Sequence, residues 1–246
     1  MSVTAVILAR GGSKGLARKN VVDVAGRPCV AWTIEAAQRS ASIERVVLST
    51  DDPEIREVGM HMGARIHDRG PTLASDTAPV DEAVRSAVWG DDAGVVVILY
   101  GNVPIRPLDL IDRAVRRLVE RGADSVQSFA RVGKHHPTWT VRIELSDGEL
   151  APWEGDTLFG GVHRRQDLEA AFVPDGGVMA VARPALELCV PGAIPGPHAF
   201  LGRDRRGIAT EPGDVVDIDS EIDRRVADAV LRERLGHGNK ASTEAA

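Results

Sequence analysis

Residues 10–20 crowd four cations, Arg10, Lys14, Arg18 and Lys19, and three glycines, Gly11, Gly12 and Gly15, into one polar turn. Glycine lets a backbone approach a ligand closely and turn its amides inward, and the cations neutralise the charge that those amides hold. Such a loop suits a polyanion, a triphosphate first; the bland alternative is a solvated basic turn. Near the other end of the chain, Asp217 and Asp219 flank Ile218. In an extended segment, residues two apart share a face. The pair can then offer carboxylates to a hard cation such as Mg2+, which takes oxygen ligands and keeps several waters. Its alternative is a plain helix entry, where acidic side chains suit the positive end of the dipole.

Two further stretches carry chemistry. Residues 69–77, Arg-Gly-Pro-Thr-Leu-Ala-Ser-Asp-Thr, place donors at Arg69 and hydroxyls at Ser75 and Thr77. As bare sequence the stretch is a turn rich in helix-capping residues. His135 and His136, followed by Pro137, have no cysteine or third histidine nearby. A zinc site is therefore not indicated, and the pair reads as a structural turn.

These residues need a scaffold, and the pattern around them supplies one. Residues 3–8 and 45–50 read as buried strands, 94–100 as the central strand, and 64–66 as a further strand candidate. They alternate with helical patterns at 28–39, 54–62, 80–89 and 108–121, which is the mark of a parallel sheet covered by helices. The basic loop thus follows the first strand. It matches neither the P-loop, which needs four residues before its Gly-Lys-Ser/Thr, nor the Gly-x-Gly-x-x-Gly fingerprint. Beyond residue 123 the alternation weakens. Residues 125–130 and 138–143 read as sheet strands, 146–149 as a hairpin turn, and 151–172 lack a core pattern. Residues 177–181 read as a strand returning to the main sheet, and 190–206 as a Pro/Gly-rich loop. Residues 220–235 read as a closing helix with Ser220 as N-cap and Asp223 in the capping-box position, and 236–246 as a disordered tail.

The bulk numbers narrow the class. With 43% hydrophobic and 4% aromatic residues, the 246-residue chain has a full core made mainly of Val, Ala, Leu and Ile. A net charge of -6 argues against sequence-independent nucleic-acid binding. It also makes the basic loop a local feature of an acidic protein, which favours a site over a surface. Cys29 and Cys189 stand far apart, so neither a zinc site nor a disulfide framework is indicated. With no signal-like segment before Val3 and no apolar run of membrane length, the expectation is a cytoplasmic protein without membrane or nucleic-acid partners.

The loop resembles the opening of the CMP-sugar synthetases, the acylneuraminate cytidylyltransferases: a strand, Ala-Arg, a small-residue pair, Ser-Lys-Gly and then Lys-Asn. Here these are Ala9, Arg10, Gly11, Gly12, Ser13, Lys14, Gly15, Lys19 and Asn20. The likeness recurs at 69–77, at His135-His136-Pro137 and at Asp217-Ile218-Asp219-Ser220, so it spans roughly residues 3–235. It implies an α/β nucleotide-diphospho-sugar transferase fold, a Rossmann-like three-layer sandwich with a mixed, mostly parallel sheet. One domain would cover 1–235, with a β-rich excursion at about 135–172 forming a homodimer. It also implies a nucleotidyltransferase reaction, in which CTP and an acidic nonulosonic-type sugar give a CMP-sugar and pyrophosphate. Ala9, Arg10, Gly11, Gly12, Ser13, Lys14, Lys19 and Asn20 would hold the triphosphate, and Arg69, Ser75 and Thr77 would surround the cytosine. Asp217 and Asp219 would carry Mg2+ and act in catalysis with Arg10 and Lys19. Tyr100, Asn102, Arg165, Phe172 and Asp175 would meet the acceptor.

The chain also departs from that family. Tyr100 stands where sialate-activating members carry Gln, and Asn102 where the ketodeoxyoctonate enzymes carry a metal-binding Asp. Trp139 replaces a basic residue, and Asp175 an Asn. These changes fall on the sugar side and none on the CTP side. The acceptor therefore stays open to another ulosonic acid or a phosphonate. A non-catalytic nucleotide-binding homologue is the other alternative, against which the intact Asp217, Asp219 and Lys19 argue. No side chain stands out as a general base.

Overall fold

The apolar run Val3–Leu8 (β1) is buried at every residue, as a strand covered on both faces must be. In the computed structural model, which describes residues 1–12, 15–133 and 135–244, it lies inside a seven-stranded sheet. In chain order there follow a small hairpin of β2 (Asp23–Val24) and β3 (Arg27–Pro28), then α1 (Cys29–Arg39), β4 (Arg45–Thr50) and α2 (Pro53–His61). Next come β5 (Arg65–Asp68), α3 (Pro71–Ala74), α4 (Val80–Ala87), β6 (Val95–Tyr100), α5 (Leu110–Arg121) and β7 (Ser125–Arg131). A separate hairpin pairs β8 (Val141–Ile143) with β9 (Leu150–Pro152). The chain closes with β10 (Phe172–Ala182), α6 (Arg183–Leu186), β11 (Arg205–Thr210) and α7 (Glu221–Glu244).

The main sheet runs β11-β7-β10-β6-β1-β4-β5, and only β10 is antiparallel to its neighbours. Leu8 therefore lies opposite both Ser49 and Tyr100, and Thr50 opposite Asp68, so these strands end at one edge of the sheet. Side chains alternate across each strand. Ala5, Ile7, Val97 and Leu99 face α1, α2 and α5, while Val6, Leu8, Val96 and Ile98 face α4 and α6. The result is the three-layer α/β sandwich with a mixed, mostly parallel sheet. A third cluster joins α7 to the body through Val24, Cys29, Ile105, Ile218, Ala227 and Leu231.

Three elements differ from the sequence reading. Residues 205–210 form edge strand β11 although the loop was expected to reach 206. Only Ile208 and Thr210 of that strand are buried, so it offers no apolar run to detect. Residues 138–143 do not join the main sheet. Pro137–Trp139 makes a 3-10 turn, with the His136 ring accepting from the Thr138 amide at 3.2 Å, and only β8 continues as a strand. Finally, α7 runs to Glu244 where a disordered tail was expected from 236. Lys240, Ala241 and Glu244 are good helix formers, and extending a helix that is already nucleated costs little.

Ile218 is fully buried and carries the acidic segment into the third cluster. Ile218→Ala should cost about 3 kcal/mol, seen as a lower urea midpoint at unchanged slope.

Candidate active site

Where β1 ends, the Ala9 amide donates to Ser49 O at 3.1 Å and the chain leaves the sheet. The loop that follows is closed by buried Asn20, whose Nδ2 donates to Arg10 O at 2.9 Å. It is stapled on one side to the β4–α2 turn: the Gly11 amide donates to Asp51 Oδ1 at 2.9 Å, and Arg18 pairs with Glu54. On the other side it meets the chain's distant acidic segment. Lys19 Nζ lies 2.6 Å from Asp219 Oδ1, and a Cβ on Gly15 would come within 2.5 Å of Asp219 O. Glycine at 15 is therefore a requirement of close approach. Ser13 and Lys14 lie outside the described residues.

Arg10, Lys19, Asn20, Arg69, Ser75, Tyr100 and Asn102 line one cavity of about 240 Å3. Arg10 Nη1 sits 2.5 Å from Asp76 Oδ1, a partner that sequence reasoning did not assign. Arg69 is buried, with Nε donating to Ser49 Oγ and Nη2 to Ser49 O, both at 3.1 Å. Ser49 Oγ also lies 2.9 Å from His67 Nδ1, and His67 Nε2 lies 3.0 Å from Ser86 Oγ. Burial, reinforced by the adjacent Arg69 charge, pushes the His67 pKa below its ordinary value. The Ser75 hydroxyl donates to Thr72 O at 2.9 Å. Thr77 lines a neighbouring cavity instead of this one.

The acidic segment is extended and bridged to the loop after β6. Val216 N donates to Ile105 O at 3.2 Å and Ile218 N to Asn102 O at 2.9 Å. Burial of Ile218 leaves Asp217 and Asp219 on the opposite, solvent-accessible side. Immediately afterwards, the Ser220 amide donates to Asp223 Oδ2 at 2.8 Å and the Asp223 amide donates back to Ser220 Oγ at 3.3 Å, the capping box that starts α7. Asn102 Nδ2 binds Asp217 Oδ1 and donates to Ile218 O at 3.2 Å. Desolvation by the surrounding chain, and then the nearby Asp219 charge, push the Asp217 carboxyl up to about 6; Lys19 only partly opposes them. Among the described residues no cluster of three metal-ligating side chains forms. Two carboxylates whose repulsion is incompletely relieved still fit Mg2+, which is usually held by one or two carboxylates plus substrate phosphates and water.

The five acceptor candidates separate. Tyr100 lines both the cavity described above and a second one of about 510 Å3, and Asn102 lines the first. Arg165 instead lines a third cavity at the base of the excursion, with Arg131 and His136. Phe172 is exposed at the start of β10. Asp175 is occupied by the fold: its carboxylate accepts from Ser128 Oγ (2.5 Å), Gly177 N (2.9 Å) and Thr210 Oγ1 (2.6 Å), tying β7, β10 and β11 together at the β10 bulge. Arg106 escaped the sequence reading as a site-shaping residue. It is buried, with Nε donating to Gly177 O at 3.1 Å and Nη1 and Nη2 unpartnered among the described residues, and burial lowers its pKa to about 10. Its signal was a cation immediately after an apolar stretch.

A glycine-rich basic loop at the end of β1, closed by a carboxylate pair from the far end of the chain, is the geometry to compare with known proteins. The family model described as cytidylyltransferase matches residues 4–140. The chain belongs to the cytidylyltransferase family. N-acylneuraminate cytidylyltransferase A of Danio rerio is 30% identical over 243 residues, covering 98% of this chain and 53% of that protein. N-acylneuraminate cytidylyltransferase of Streptococcus agalactiae serotype III is 32% identical over 181 residues, covering 72% and 43%. The chain thus spans about half the length of the curated relatives it matches. Among solved structures, CMP:2-keto-3-deoxy-manno-octonic acid synthetase complexed with CTP aligns with a TM-score of 0.71 at 15% identity, over 95% of this chain and 100% of that one. The 4-diphosphocytidyl-2C-methyl-D-erythritol synthase of Anaerococcus prevotii aligns with a TM-score of 0.62 at 14% identity, over 94% and 98%. These structural likenesses establish the nucleotidyltransferase fold.

Two outcomes are expected of this site. Gly15→Ala should push the loop off Asp219 and weaken nucleotide binding about tenfold, or 1.4 kcal/mol, by calorimetry, with little change in urea midpoint. His67 is harder to protonate in the folded chain than in the unfolded one, so the unfolded state takes up more protons just below pH 6.5. Stability should therefore fall as pH drops through that window, and His67→Gln should flatten the slope in pH-dependent thermal melts.

Proposed function

We propose that this chain is a CTP-dependent cytidylyltransferase that activates an acidic, nonulosonic-type sugar to its CMP-sugar with release of pyrophosphate. The observation that carries the reading is the closure of the glycine loop on the acidic segment, through Lys19 to Asp219 and Gly15 against Asp219 O. A triphosphate held by the loop amides, Arg10 and Lys19 would have its α-phosphorus beside Asp217 and Asp219. The acceptor hydroxyl attacks that phosphorus in line, its oxygen forms the new P–O bond while its proton passes to solvent water, and the bond to the departing pyrophosphate breaks. Arg10 and Lys19 neutralise the charge that grows on the leaving group. Arg69 and Ser75, in the same cavity, sit where the cytosine would be read, with Thr77 next to them. Mg2+ held by Asp217 and Asp219 would supply charge neutralisation across the phosphoryl oxygens.

The same reading assigns the excursion to a homodimer. Ile143, Leu145, Leu150, Trp153, Phe159 and Phe172 are exposed there, a concentration of apolar surface that a second copy would cover. Arg165 and Phe172, which miss their own chain's cavity, would then serve the other copy's acceptor. No helix among the described residues is long and apolar enough to cross a membrane. One of the relatives is bacterial, and we place the enzyme in the cytoplasm.

The test is pyrophosphate release with Mg2+ and CTP, set against ATP, GTP and UTP, across a panel of acidic sugars and aminoethylphosphonate. CTP-specific release with one acidic sugar is expected. Asp219→Asn should lower kcat about 100-fold or more while sparing much of the CTP affinity. An unchanged rate and metal dependence in that variant would show that the carboxylate pair has another role.

A further inference from the structure

Arg69 lines the nucleotide cavity, but the groups that hold its guanidinium lie outside that cavity. Its amide anchors the chain just past β5, donating to Thr50 O at 2.9 Å. Its side chain then gives two N–H groups to one residue: Nε donates to Ser49 Oγ and Nη2 to Ser49 O, both at 3.1 Å. Two bonds from one planar fork to one neighbour set the plane of the guanidinium. Ser49 is fully buried on β4 and stands in register with His67 of β5. Its Oγ lies 2.9 Å from His67 Nδ1, and His67 Nε2 lies 3.0 Å from Ser86 Oγ on α4. Neither Ser49 nor His67 lines the nucleotide cavity.

The direction of this chain of bonds follows from its first member. Arginine can only donate, so Ser49 Oγ accepts from Arg69 Nε and its own proton must point elsewhere. Among the described residues, the other side-chain partner of that hydroxyl is His67 Nδ1. The imidazole is therefore assigned as neutral with its proton on Nε2, from which it donates to Ser86 Oγ. Burial first, and then the Arg69 charge, favour that neutral form. A protonated ring would donate from both nitrogens, deprive the Ser49 proton of its acceptor and set a second cation beside Arg69. We infer that Ser49 and His67 are positioning residues for base recognition: they hold the Arg69 guanidinium in the plane that reads the base, without touching the nucleotide. The inference rests on the cytidylyltransferase reading, in which Arg69 meets the cytosine, and deepens it. Cytosine offers acceptors at O2 and N3, whereas uracil carries a proton on N3. Donors fixed in one plane reject uracil, because two facing donors are both left without acceptors. A guanidinium free to swing accommodates either base and loses that choice.

The experiment measures Kd for CTP and for UTP, with Mg2+, by calorimetry in the wild type and four variants. Folding of each is checked by circular dichroism and urea midpoint. Arg69→Lys keeps the charge and loses the fork. Ser49→Ala removes the bridging hydroxyl. His67→Leu removes the acceptor of that hydroxyl, and His67→Asn keeps an acceptor at the Nδ1 position. The wild type is expected to prefer CTP to UTP. That preference should fall about tenfold in Arg69→Lys, Ser49→Ala and His67→Leu, through weaker CTP binding, and stay within about threefold of the wild type in His67→Asn. A preference lost in Arg69→Lys but kept in Ser49→Ala and His67→Leu overturns the inference and leaves the cytidylyltransferase reading standing. Equal weakening of CTP and UTP in those two variants, the result of a merely structural role, does the same. His67→Asn as impaired as His67→Leu overturns the part assigned to the Nδ1 acceptor. An unchanged preference in Arg69→Lys overturns its base contact and the inference with it. Absence of CTP binding by the wild type overturns the cytidylyltransferase reading itself.

Discussion

Burial of Ile218 is the constraint on which the rest of the site depends. An apolar side chain between two carboxylates is driven into the cluster formed by Val24, Ile105, Ala227 and Leu231, and the pleat then turns Asp217 and Asp219 to the other side. The same segment is held by backbone bonds to Asn102 and Ile105, just past β6, and is continued by the capped start of α7. The acidic pair therefore reaches the edge where β1, β4, β5 and β6 end. Residues some 200 positions apart become neighbours there, as the Lys19–Asp219 pair shows.

The electrostatics of that edge are those of a site kept incomplete by the protein alone. Arg10 and Lys19 are each paired with a carboxylate, yet Asp217 remains pushed up to about 6 by desolvation and by Asp219. Crowding like charges costs stability, and proteins accept that cost where a ligand of opposite charge is to be bound. Here the cavity offers the cations Arg10, Lys19 and Arg69, and the carboxylates of Asp219 and Asp217 stand beside it on Lys19 and Asn102. A nucleotide triphosphate with its metal carries both complements.

Much of this was legible in the sequence because it depends on local physics. The runs that became β1 and β6 are nearly continuous apolar stretches, β4 has Val46, Val47 and Leu48 at its centre, and Ser220 with Asp223 spelled the cap of α7. The Asp217-Ile218-Asp219 pattern gave its own facing once the segment was extended. Other features arise only in three dimensions. Strand β11 sits at an edge with two buried side chains, too few to leave a pattern. Asp175 was expected to meet the acceptor, but its carboxylate is used by Ser128, Gly177 and Thr210 from three strands. Arg165 and Phe172 belong to a segment without core patterning, and they stand away from their own chain's cavity. The close approach of Gly15 to Asp219 O joins loop to tail across the whole chain, and no local periodicity encodes it.

The central claim is that the basic loop and the distant acidic segment form one nucleotide site. Hydrogen–deuterium exchange with and without CTP and Mg2+ tests it most directly, because it reads both segments in one experiment. The account predicts that the nucleotide slows exchange in residues 9–20 and in 215–220 together, with further slowing in 69–77. Slowing confined to the loop, with the acidic segment unchanged at saturating nucleotide, would contradict it.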